Sequence, residues 1–129
     1  MKPIEKLLAY MESNHIDAFY IAKKPNVRYV SGYTGDDSYL LITKEKSYII
    51  TDPRYTEQIG MECPDYEIAL WRPVGNVGKA ISNLMNANGL KSLAFEGDAV
   101  NYLMYADLRE NTSADLISTT DVVEEMRAI

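Results

Sequence analysis

Apolar positions along the chain follow two different periods, and the switches between them mark the elements. Ile4, Leu7, Leu8 and Met11 stand at i, i+3, i+4 and i+7, which places them on one stripe of a helix. Pro3 suits the first turn of that helix and Asn14 its end. Asp17 to Ala22 is a short apolar run that predicts a buried strand. Lys23-Lys24-Pro25-Asn26 breaks it, and Asn26 is placed to cap a brief helical turn through Ser31 that Gly32 ends. Tyr39 to Thr43 and Ser47 to Thr51 are β-rich runs separated by Lys44-Glu45-Lys46, so they form an antiparallel hairpin. Asp52 before Pro53 is an N-cap followed by a first-turn proline. The helix it opens runs to about Met61 and stops by Pro64.

The second half alternates regularly. Strands are expected at Tyr66 to Trp71, Ser92 to Glu96 and Asp115 to Ser118. Helices are expected over Val77 to Met85, capped by Asn76 with Gly89 past its end, and from Asn101 to about Glu110. Asp121 with Glu124 three residues later has the form of a capping box for a last helix reaching Ile129. Strands alternating with helices imply crossovers and a sheet covered on both faces, and the early hairpin makes that sheet mixed. The expectation is one three-layer α/β/α domain with about six strands. The last segment, Val122 to Ile129, is a helix pattern with no terminator, as expected of the first part of something longer.

Composition narrows the function. The chain has 129 residues and a net charge of −6, which argues against gripping nucleic acid by bulk charge and against a basic membrane-surface module. No apolar run is long enough to span a bilayer. One cysteine, Cys63, excludes an internal disulfide, and a cytoplasmic setting follows most simply. One histidine, His15, excludes a multi-histidine metal site within the chain. His15 lies beside a helix end and Cys63 before Pro64, neither in a nucleophile's setting. Asp36-Asp37 lacks the alternating spacing of a calcium loop. Asp52, Glu96 and Asp98 fall at strand ends, where a magnesium-dependent nuclease would gather carboxylates, yet Asp52 is equally a helix cap. Gly75-Asn76-Val77-Gly78 carries neither nucleotide-binding fingerprint. Ten tyrosines stand against two Phe and one Trp, six of them at 20, 29, 33, 39, 48 and 55. That cluster is either a pocket wall or interface, or simply the aromatic component of the strands.

The most specific stretch is Asn26-Val27-Arg28-Tyr29-Val30-Ser31-Gly32-Tyr33, leading through the hairpin into Thr51-Asp52-Pro53-Arg54-Tyr55. It resembles the N-terminal domain of the creatinase, prolidase and aminopeptidase P group, where an Asn-x-Arg-Tyr-x-[Ser/Thr]-Gly-[Phe/Tyr] segment precedes a hairpin ending Thr-Asp-x-Arg-Tyr. Phe95-Glu96-Gly97 and the closing Val123 to Ile129 extend the resemblance over essentially the whole chain. Two departures stand out: Asp36-Asp37 replaces small or amide residues, and Pro53 replaces a Phe or Gly.

The resemblance implies a ribonuclease H-like α/β layer, followed in the family by a "pita-bread" catalytic domain. That second domain holds two divalent metals, of manganese, cobalt or zinc type, and acts at Xaa-Pro bonds. The N-terminal domain is then expected to lack catalytic residues and metal ligands of its own. Its partners would be its own catalytic domain, a second subunit and a proline-containing peptide. Tyr33, Arg54 and Tyr55 become candidates for a substrate-pocket wall or interface, with Asn26, Arg28, Tyr29, Gly32 and Asp52 as the structural motif. Arg54 would pair with a substrate or partner carboxylate, or with one inside the domain. Two rivals stay open: a stand-alone peptide- or protein-binding module of the same fold, and the nuclease.

Overall fold

The computed structural model describes residues 1–72 and 74–128. Strand β1 (Ala18–Ile21) lies between β2 (Tyr39–Thr43) and β5 (Ser92–Glu96). The other strands are β3 (Ser47–Thr51), β4 (Glu67–Leu70) and β6 (Asp115–Thr119), and the sheet order is β4-β3-β2-β1-β5-β6. β1 and β2 are antiparallel, as are β2 and β3, whereas β3–β4, β1–β5 and β5–β6 are parallel. β2 is thus the one strand reversed, as the short hairpin at residues 44–46 requires: three residues can join only antiparallel neighbours.

Among the described residues six α-helices cover the sheet: α1 (Pro3–Ser13), α2 (Lys24–Ser31), α3 (Thr56–Glu62), α4 (Val77–Ala87), α5 (Tyr102–Asn111) and α6 (Val122–Arg127). The period of two along each strand sorts residues between the two covering layers. Phe19, Ile21, Leu40, Ile42, Ile49 and Ala94 pack with residues of α1, α2, α3 and α6. Ala18, Tyr20, Leu41, Tyr48, Ile50, Leu93 and Phe95 pack against α4 and α5. The expected three-layer α/β/α architecture with a mixed six-stranded sheet is what the chain adopts.

Punctuation residues act largely as their chemistry dictates. Gly32 closes α2 with φ of +80°, and its N–H reaches the Arg28 carbonyl at 2.7 Å. Asn76 and Asn101 accept from the backbone N–H of Lys79 and Met104 at 2.8 and 2.9 Å. Asp52 caps its helix as expected, but Pro53–Tyr55 forms a 3-10 turn and α3 begins only at Thr56.

Two expected caps are corrected. α2 starts at Lys24, with Pro25 in its first turn, so Asn26 lies inside the helix; its side chain is fully buried and bonds to Glu96 instead. Asp121 makes no side-chain cap, because it enters α6 at φ of +62°, outside the extended geometry a capping box uses. Glu124 turns to Lys23 instead. The helix expected to reach Ile129 is α-helical through Arg127, and Ile129 lies outside the described residues.

Candidate functional site

Five strands run one way, so their C-terminal ends share one edge of the sheet, joined there by the start of the reversed β2. Ligands of open α/β sheets collect at such an edge. Residues 22–24, 35–38, 52–55, 71–72, 96–98 and 120–121 all gather along it.

At the β3 end, Asp52 is 1% exposed while Arg54 is 64% exposed. The Asp52 carboxylate accepts the Arg54 backbone N–H at 2.9 Å, Nε at 3.0 Å and Nη2 at 2.7 Å. These bonds, first the side-chain pair and then the backbone donor, hold the Asp52 carboxyl down at about 2. The Arg54 guanidinium also lies 5.1 Å from the Tyr55 ring centre, a cation–π contact. Of the two readings of Arg54, the ion pair inside the domain is thus realised, with the outer edge of the guanidinium turned to solvent.

The neighbouring loop is tied down by side chains on both flanks. Tyr55 donates its hydroxyl to Asp37 Oδ2 at 3.2 Å, Lys24 pairs with Asp36, and Ser38 Oγ meets Thr51 Oγ1 at 2.8 Å. Asp37 itself sits at φ of +50°. The two acidic residues that depart from the family pattern are therefore engaged within the domain. Tyr33 is 1% exposed and packs in the core beside α3. A Cβ on Gly35 would lie 2.2 Å from the Tyr33 hydroxyl, so only glycine lets the loop cross over that ring. Tyr33 thus supports the loop from below, while Arg54 is exposed and Tyr55 is half-buried, its ring packed partly against the core.

The motif residues differ in what they do. Tyr29 packs at the margin of the α1–α2–α6 core and donates to the Met126 carbonyl at 3.3 Å. Arg28 is exposed. Its charge helps keep the Glu62 carboxyl low, behind the bonds Glu62 accepts from Gln58 and from the Thr34 N–H. Cys63 is buried, and burial pushes its thiol up, away from reactive thiolate.

At the β1 and β5 ends, Glu96 is 4% exposed. Its Oε1 accepts the backbone N–H of Ala22 at 2.7 Å and of Lys23 at 2.9 Å, and its Oε2 accepts Asn26 Nδ2. Lys23 Nζ reaches Glu124 Oε2 at 2.6 Å and also Asp98. In the sequence Lys23 shows only as part of a strand breaker and Glu62 not at all, while Glu96 shows as a strand-end carboxylate within Phe95-Glu96-Gly97, with nothing to disclose its bonds to Ala22, Lys23 and Asn26.

The strand-end carboxylates do not converge. Asp52, just past β3, and Glu96, at the end of β5, are separated by β2 and β1, three strand spacings or roughly 14 Å. Among the described residues no three His, Cys, Asp or Glu side chains stand together as metal ligands. The residues present therefore do not fit a metal centre, and no chemical step is assigned to one here.

Known proteins share this fold and this order of residues. A structure of an Xaa-Pro dipeptidase from Bacillus anthracis superposes with a TM-score of 0.88 at 30% identity, over 100% of this chain and 36% of that one. The N-terminal domain of the cytoplasmic peptidase PepQ from Mycobacterium tuberculosis superposes with a TM-score of 0.86 at 29% identity, covering 97% of this chain and 98% of that one. In sequence, an uncharacterized peptidase of Bacillus subtilis is 32% identical over 127 residues, which is 98% of this chain and 35% of the relative. Residues 3–129 match the Creatinase/Prolidase N-terminal domain, and the chain belongs to that family. It spans about a third of the length of the curated relatives it matches.

Proposed function

We propose that this chain is the non-catalytic N-terminal domain of a metal-dependent Xaa-Pro peptidase, shaping or capping the active site and supporting a dimer. The observation that carries this reading is the extent of the match. The chain covers only about a third of the length of Xaa-Pro dipeptidase relatives and matches the family's N-terminal domain, while Asp52 and Glu96 stand three strand spacings apart. In such an enzyme the divalent metals would be held by the catalytic domain. This domain's part would be to orient substrate and keep water out of a closed pocket.

The strand-end edge suits that work. Arg54 and Tyr55 present a cation and a ring on a 3-10 turn beside the tethered loop, ready to meet a carboxylate or a proline ring of a peptide. The Asp52 pair holds the guanidinium in place before any ligand arrives, which reduces the ordering cost of binding.

Turnover decides the matter. The isolated chain, given manganese and an Xaa-Pro dipeptide, is expected to release no proline above background. Genuine turnover that follows the chain through purification would overturn the reading.

A further inference from the structure

We infer that Lys23 is a latch that locks α6 onto the end of β1, and so positions whatever segment follows this domain in the longer protein. The last clause rests on the family reading above; the latch itself rests on geometry alone.

α6 has little to hold it by itself. It is six residues long, well below the length at which a helix persists unaided in water. It enters through a left-handed Asp121 with no side-chain cap. Val123 is its one fully buried apolar residue among those described, with Val122 and Met126 half-covered.

Lys23 supplies the missing restraint from across the chain. Its backbone is pinned first: the N–H is taken by Glu96 Oε1 at 2.9 Å. Glu96 is itself oriented by Asn26 Nδ2. Asn26 Oδ1 is buried without a partner among the described residues. The amide therefore cannot reverse without setting that oxygen against a carboxylate. From this fixed base the side chain reaches Glu124 on α6 and Asp98 after β5, with Lys23 and Glu124 side chains only 26% and 24% exposed. One ammonium thus serves two carboxylates while its own backbone serves a third. Without its ammonium, Asp98 and Glu124 would lose the cation they share, and α6, short and without a side-chain cap, would yield first.

Amide hydrogen exchange on the 129-residue chain tests the latch. Lys23→Met keeps the aliphatic stem and removes the charge. Exchange over residues 122–128 is expected to accelerate at least tenfold, with residues 39–51 unchanged and Lys23→Arg restoring protection. Glu124→Gln, which alters only the α6 side, is expected to act in the same direction and decides the question should Lys23→Met fail to fold. Unchanged protection of 122–128 in Glu124→Gln, or an equal loss over 39–51 in either variant, would overturn the latch. Neither result would touch the proposed function, which turnover decides.

Discussion

Asp52 shows how one carboxylate can serve a helix, an ion pair and a surface at once. Because Arg54 holds its carboxyl at about 2, the unfolded chain, with an ordinary Asp near 4, takes up the proton first as pH falls. The stabilisation is therefore complete above about pH 4 and lost as pH drops towards about 2. Melting temperature followed over that range should fall more steeply in the native chain than in Asp52→Asn. Arg54→Ala strands a buried charge, so it should lower the melting temperature by several degrees, and Arg54→Ala in an Asp52→Asn background should cost less. Additive losses in that cycle would mean that the pair contributes nothing beyond its parts.

At the scale of elements, glycines and strand ends decide which pieces can approach. Gly97 follows β5 and donates to the Thr119 carbonyl at 2.8 Å. A Cβ there would lie 2.2 Å from Ser118 Oγ and 3.2 Å from the Thr119 carbonyl oxygen. Gly97→Ala should therefore destabilise the chain, and adding Ser118→Ala should recover part of the loss but not all, because the backbone contact stays. Denaturant midpoints for the three variants check both halves of that expectation.

The elements were legible where their signals are local. Gly32, Pro53, Asn76 and Asn101 act on neighbours within four residues, so sequence spacing alone locates the breaks. The hairpin was legible because three residues leave its strands no other pairing. What escaped was settled by distant partners. Asn26 looks like a cap until Glu96, on a strand far along the chain, claims its amide. Glu124 looks like half of a capping box until Lys23 claims its carboxylate. Tyr33, grouped with Arg54 and Tyr55 as a pocket-wall candidate, is buried: its ring fills the core beneath Gly35, an arrangement that no spacing in the sequence discloses.

For the whole molecule, the sheet order divides the chain into parts of unequal reach. β1, β2 and β3 are neighbours in sequence and in the sheet, whereas Phe19 on β1 also pairs with Ala94 on β5. Closing that long loop costs more chain entropy than zipping the meander. The reversed strand at the centre therefore has a kinetic meaning: the β1–β2–β3 meander can assemble while β5 and β6 are still unstructured. Ile49 on β3 is fully buried, and Ile49→Ala should cost about 2–5 kcal/mol. In stopped-flow chevrons most of that loss should appear as slower refolding, while Ile117→Ala on β6 should chiefly speed unfolding. A chain emerging from a ribosome could thus commit to this fold once its first fifty or so residues are free, before either edge of the finished sheet exists.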